Sequence, residues 1–346
     1  MSILKDLIKA ADNEYASIAE DGIMGTETSF FDTGSYALNA LVSGSIFGGI
    51  PSKITVMAGA EAVGKTYIAL NIAKQFLKSN KNNVVLYFES EGALTKEMLK
   101  SRGINTKQFS IFPVATIEEF RTQAMKILNS IEGDDPRTKD NSSIMMCLDS
   151  LGSLSTNKEV TDIGEGVDKR DMTRAQLVRG AFRALTLKLG KLDIPLLVTN
   201  HVYDVVGSFF PTQALAGGGG IKYAASTILT FRKKKDKEGT DVVGIVIPAK
   251  VVKSRFTKEN KEIELRLNYT TGLDKYYGLI ELAEKFGIFK KDKTRYVLPD
   301  GTKTFAKTIL QDPEKYFDKK VLKQLDECAK HEFLYGSLNG NKKETA

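Results

Sequence analysis

The run Gly59-Ala60-Glu61-Ala62-Val63-Gly64-Lys65-Thr66 fits the pattern GxxxxGK[ST] of a phosphate-binding loop. Backbone N–H groups of such a loop, with the N-terminus of the helix behind it, cradle phosphate oxygens. Lys65 would reach the terminal phosphates of a nucleoside triphosphate such as ATP, and the Thr66 hydroxyl would help hold Mg²⁺. Tyr67, next along, completes the nucleotide-binding set. Further on, Ile144-Met145-Met146-Cys147-Leu148 is an apolar run ending in Asp149, an acid suited to orienting the metal's shell. Val84–Phe88 ends in Glu89-Ser90-Glu91. A carboxylate there could orient water against a γ-phosphate, and could equally cap the helical segment from Leu94 to Lys100 or face solvent. His201 follows strand 194–199. A lone histidine is more often structural, but sharing a sheet edge with Asp149 gives it chemical weight.

These groups meet only if strands and helices bring them to one edge. Lys53–Ala58 reads as a buried strand before the loop, and Ala69, Ile72, Ala73 and Phe76 repeat at helical spacing after it. Strands at 54–58, 84–88, 143–148 and 194–199 alternate with helices near 66–79, 117–131 and 171–190. That order predicts an α/β fold with a mostly parallel twisted sheet flanked by helices. After Ala225 the texture turns to strands at 227–231, 242–252 and 261–267. In the last, Ile263, Leu265 and Leu267 alternate with Glu262, Glu264 and Arg266, the mark of a half-buried strand. From about Tyr276 a small, helix-rich module follows, with a polar tail from Asn339. The N-terminus, Ile3 to about Ile18, reads as an amphipathic helix. The domains expected are a helical arm at 1–30, a core at 31–270 and a small α+β domain at 271–346.

With 346 residues, 42% hydrophobic and 27% charged, the chain is long enough for a large core and is not of disordered composition. Its net charge of +7, 50 basic against 43 acidic side chains, suits a polyanionic partner without requiring one. Two distant cysteines, Cys147 and Cys328, give no disulfide pattern. No stretch reads as a signal peptide or a bilayer span, so a cytoplasmic home is expected, the host's if the chain is phage-encoded.

Two further segments stand out. Ser208–Gly220 carries Phe209, Phe210, Pro211 and four consecutive glycines, Gly217 to Gly220, which suits a loop that orders on a ligand better than a plain linker. The run Arg232–Gly239 reads as a solvated hairpin turn, with phosphate binding the lesser alternative. Lys250, Lys253 and Arg255 lie on and just after a strand and could cover acidic surface or reach phosphate.

Taken together, these residues resemble the RecA family of recombination ATPases, most closely its phage branch, the UvsX type. The resemblance runs from about Thr33 to Phe333. Thr33-Gly34-Ser35 with Leu38, Glu91-Gly92-Ala93-Leu94, Asp149-Ser150-Leu151-Gly152, Gly219–Ser226 and Lys250–Arg255 carry it. It implies a RecA-like P-loop ATPase core and a DNA-dependent ATPase that forms helical filaments on single-stranded DNA and exchanges strands with a homologous duplex. It makes Glu91 the general base and His201 the sensor of the γ-phosphate. Lys253 and Arg255 would be cations reaching a neighbouring subunit's ATP. Ser155–Arg170 and Asp204–Gly220 fall at the family's two DNA-binding loops. Lys158, Lys169, Arg170 and Arg174 are the candidates around the first, and Phe209, Phe210, Gly217, Gly218, Gly219 and Lys222 around the second. Met98 stands where relatives often place a tyrosine against adenine, and the family's acidic C-terminal tail has no counterpart here. A mediator and a single-strand-binding protein are the further partners implied. A ring-forming helicase on the same core and a non-catalytic ATP-dependent recombination mediator are the competing readings.

Overall fold

The computed structural model describes residues 2–12, 16, 18, 20, 28–139, 141–167, 172–204, 213–216 and 219–336. The first helix, α1 (Ser2–Ala10), stops short of the expected Ile18. Asp12 takes φ +46°, a left-handed geometry that ends a helical run. A short ribbon of β1 (Phe30–Phe31) and β2 (Ile50–Pro51) flanks α2 (Tyr36–Ser43), which the sequence reading missed. Ser35 caps α2 by accepting from Leu38 N–H.

The core then alternates as expected: β3 (Ile54–Gly59), α3 (Lys65–Ser79), β4 (Val84–Glu89), α4 (Lys96–Ser101), β5 (Phe109–Pro113), α5 (Ile117–Gly133), β6 (Ile144–Asp149), α6 (Asn157–Gly164), α7 (Arg174–Lys191) and β7 (Leu196–Asp204). β5 was not foreseen, because Ser110, Ile111 and Pro113 are exposed and the strand lacks an apolar run. Nor was α6. Thr156 and Glu159 form a reciprocal capping box that starts a helix inside the polar stretch expected to be a loop. β8 (Gln213–Leu215) and α8 (Gly220–Ala224) follow, then β9 (Thr227–Phe231), β10 (Lys234–Glu238), β11 (Asp241–Ser254), β12 (Glu262–Asn268) and β13 (Gly272–Leu273).

The parallel strands lie in the order β9-β3-β7-β6-β4-β5, and β11, β12 and β13 extend the sheet antiparallel beyond β9. β10 corrects the solvated-turn reading of Arg232–Gly239: Lys234–Glu238 pair with β11, and only the Gly239 end turns, at φ +65°. Lysines along such an edge keep it from pairing with another chain.

Successive residues of the buried strands point to opposite faces. Met57, Cys147, Leu197 and Leu229 face one apolar cluster, with α2 and α3. Val56, Met146, Leu148, Val198 and Ile228 face the other, with α5 and α7. Deleting a buried leucine from either costs about 2–5 kcal/mol. The C-terminal part comprises α9 (Leu279–Lys285), the small sheet of β14 (Lys290–Asp292), β15 (Arg295–Val297) and β16 (Lys303–Thr304), and a last long helix, Lys319–Phe333. Its Phe289, Phe317, Leu325 and Phe333 join the first cluster beside Leu38 and Leu41.

Candidate active site

In the parallel part of the sheet, the strands' carboxyl ends form one edge, where ligands of open α/β sheets bind. Register places Gly59 beside His201, and Glu89 beside Asp149. Residues 60–64 turn from β3 into α3, with Ala62 at φ +55° and Gly64 at φ +92°. The second angle favours glycine, which explains the residue before Lys65. A pocket of about 190 Å³ gathers Glu61, Ala62, Gly64, Lys65, Thr66 and Tyr67 with Glu91, Asp149 and His201.

Lys65 is buried, and its ammonium donates to the carbonyls of Gly59 (3.0 Å) and Ala60 (2.8 Å). Burial lowers its pKa, against the opposing pull of Asp149, Glu91 and Glu61. Asp149 is held from both sides. Tyr87 donates its hydroxyl to Oδ2 at 2.6 Å, and the Thr199 hydroxyl donates to Oδ1. Burial and the Asp149 charge push the Tyr87 hydroxyl well above its ordinary pKa, so it stays a donor. Mg²⁺ is commonly held by one or two carboxylates with phosphate and water completing the shell. One fixed carboxylate beside the Thr66 hydroxyl fits that pattern.

Glu91 is not a helix cap; Thr95 caps α4, accepting from Met98 N–H at 3.1 Å. Its own loop is clamped by Glu89, whose carboxylate accepts from the N–H groups of Glu91, Gly92 and Ala93 at 2.8–3.1 Å. Glu91 Oε1 then accepts from the hydroxyls of Ser150 (2.7 Å) and Ser153 (3.0 Å), and His201 Nε2 lies 3.4 Å away. Burial alone would raise the Glu91 pKa; these hydrogen bonds and His201 outweigh it and hold the carboxyl below its usual range. The group therefore stays ionised at neutral pH, as a base must. Removing a donor raises that pKa. Replacing Ser150 and Ser153 by alanine is expected to move the acid limb of the ATPase pH profile upward, and an unmoved limb would detach those serines from Glu91.

Gly152 leaves room for the histidine: a Cβ there would sit 2.8 Å from His201 Cδ2. Behind His201, β7 pairs antiparallel with β8, Ala216 N–H donates to the His201 carbonyl at 2.9 Å, and Asn200 reaches the Ala216 carbonyl. His201 is thus tied through β7 to β8 and Ala216.

The remaining candidates divide. Met98 is half-buried against the first apolar cluster and is not among the pocket's lining residues. Arg174 donates from Nη2 to the Gly152 carbonyl at 3.0 Å and so braces the turn that carries Ser153. Lys158, Gly219 and Lys222 are exposed. Lys169, Arg170, Phe209, Phe210, Gly217 and Gly218 lie outside the described residues. Lys253 and Arg255 are at the opposite end of the sheet. Arg255 N–H bonds to Ser226, which bonds to Ile54, five residues from Gly59 and so ~16 Å along the strand at about 3.3 Å each. Lys253 donates to the carbonyls of Lys222 and Tyr223 at the end of α8. Burial, reinforced by Arg255, lowers its pKa. Arg255 lines a groove of about 1120 Å³ with Lys53, Arg179, Arg183 and Tyr223. Sequence reasoning passed over Arg179 and Arg183, whose only signal was their spacing on one face of α7.

A phosphate loop, a clamped strand-end acid and a second, hydrogen-bonded carboxylate at the carboxyl edge of a parallel sheet define a P-loop ATPase. The RecA N-terminal domain family matches residues 9–274. The chain belongs to that family. It is similar to the "Recombination and repair protein" of Enterobacteria phage T4, 29% identical over 294 residues, which cover 85% of this chain and 73% of the relative. It is also similar to "Protein RecA" of Thermus aquaticus, 28% identical over 305 residues and 85% of each chain. A third relative is "Protein RecA" of Deinococcus radiodurans, 29% identical over 78% of this chain and 70% of that one. Among the described residues, no helix is long and apolar enough to cross a membrane.

Proposed function

We propose that this chain is an ATP-dependent DNA recombinase, a DNA-stimulated ATPase that assembles on single-stranded DNA and exchanges it with a homologous duplex. The observation that carries the reading is Glu91, fixed by Ser150, Ser153 and His201 in the pocket that holds Lys65 and Asp149. Loop N–H groups and Lys65 bind the phosphates. Thr66 and Asp149 would hold Mg²⁺, which supplies charge neutralisation on the phosphate oxygens. Glu91 accepts a proton from the attacking water, and the Glu89 clamp keeps it aimed.

His201 touches Glu91 on one side and is tied to the second loop on the other, so loss of the γ-phosphate is transmitted to the DNA-binding segment. Binding to single strands rests on backbone phosphates and is largely indifferent to sequence. Lys158 and Lys222, exposed beside the two loops, are the described basic groups offered for it. In this reading residues 1–30 form an assembly arm, 31–270 the ATPase core and 271–346 an accessory domain. A mediator and a single-strand-binding protein are its expected partners, in a cytoplasm.

Strand exchange between homologous DNAs is the test. Exchange that requires ATP, with filaments under the electron microscope, is the expected result. ATP-dependent rings that unwind DNA without exchange would favour a helicase. ATP binding without DNA-stimulated hydrolysis would favour a mediator.

A further inference from the structure

The phosphate half of the nucleotide site is accounted for by residues 59–66, whereas Met98, the sequence candidate for the base, does not line the pocket. Tyr67 does. Its ring stands in the first turn of α3, two residues after Lys65, and lines the same pocket. The Arg102 guanidinium, just past the end of α4, lies over that ring with its central carbon 4.6 Å from the centroid. Arg102 Nη1 is buried and, among the described residues, has no hydrogen-bond partner. The ring is fixed at its other end as well. A Cβ on Gly272, at φ +86°, would meet the Tyr67 hydroxyl oxygen at 2.4 Å, so β13 abuts the ring edge-on.

We infer that Tyr67, backed by Arg102 and abutted by Gly272, is the stacking platform for the base of the bound nucleoside triphosphate. The cation over one ring face polarises the π-system, and Gly272 abuts the hydroxyl end of the ring. Met98, one turn before Arg102, then acts as a spacer that seats α4 against the core. This inference rests on the nucleotide-binding reading of the same pocket.

The test compares ATP with inorganic tripolyphosphate, which carries the phosphates and no base, by calorimetry on the full chain. Tyr67→Ala is expected to weaken ATP binding about tenfold, Arg102→Gln about threefold, and Tyr67→Phe hardly at all. Tripolyphosphate affinity should stay within twofold throughout, which also shows that each variant is folded. Unaltered ATP binding by Tyr67→Ala, an equal loss for tripolyphosphate, or a larger loss from Met98→Ala than from Tyr67→Ala would overturn the platform. Wild-type protein that bound neither ligand would overturn the nucleotide site itself, and the platform with it.

Discussion

Alanine at both Lys253 and Arg255 is expected to cut DNA-stimulated ATP hydrolysis by about 10³-fold, the lower end of what a cationic finger contributes to phosphoryl transfer. ATP binding by the isolated subunit should hardly change. The reason is positional. Both cations sit toward the amino end of β3, Arg255 level with Ile54 and Lys253 with Val56, ~16 Å and ~10 Å along the strand from Gly59 at about 3.3 Å each. The Lys253 ammonium is held on the Lys222 and Tyr223 carbonyls, so neither is placed on its own nucleotide. In the proposed assembly a head-to-tail contact between subunits would bring that end of one molecule against the carboxyl edge of the next, and a contact of this type generates a helix when its rotation does not close. Lys253 also holds the carbonyls of Lys222 and Tyr223, at the end of the helix that follows the second loop. On this proposal, Lys253 turning to a neighbour's γ-phosphate would release that helix end and so link the seam to the DNA-binding segment.

A mixing experiment makes the claim specific. Lys65→Ala protein lacks a working phosphate loop, and the double variant lacks working fingers; each should be inactive alone. Mixed on single-stranded DNA, they form some seams with an intact loop against intact fingers, and part of the activity should return. A mixture as inactive as its parts, or an equal loss of nucleotide affinity in the isolated double variant, would place Lys253 and Arg255 outside the reaction.

Local pattern carried most of the fold and the phosphate half of the site. The loop motif is contiguous, its helix repeats at 3.6 residues, and the parallel strands are apolar runs because helices cover both faces. What escaped the sequence was set by pairing between distant residues. Asp149 is recognisable at a strand end, but its partners Tyr87 and Thr199 lie 62 and 50 residues away on the flanking strands. Only strand order makes them neighbours. Glu89 and Glu91 are two residues apart and chemically alike. Nothing local says that the first is spent on three N–H groups while the second faces the pocket. Arg174 likewise reads from the sequence only as a basic residue beside a polar loop, and only the fold shows its Nη2 on the Gly152 carbonyl. β5 and α6 failed for a simpler reason, since half-exposed short elements carry too few apolar residues for a period to show.

That division of labour between two neighbouring carboxylates fixes what Glu91→Gln should do. The amide is nearly the same size, and its oxygen can still accept from Ser150 and Ser153, so the loop held by Glu89 has no reason to move. Only the ability to take a proton from water is lost. General-base catalysis is worth about 10²–10⁴-fold, and steady-state ATP turnover on single-stranded DNA should fall by that factor. Nucleotide affinity should remain near wild type, because Lys65, Thr66 and the loop N–H groups are untouched. His201 still meets an oxygen at the same place, and with ATP no longer consumed the variant should stay on DNA longer than wild type, which salt-challenged dissociation would measure. Single-turnover kinetics separate the alternatives. A slowed chemical step with unchanged binding assigns the base to Glu91, whereas normal turnover would remove it from the reaction. A matching loss of ATP affinity would mean that Glu91 shapes the pocket instead of activating water within it.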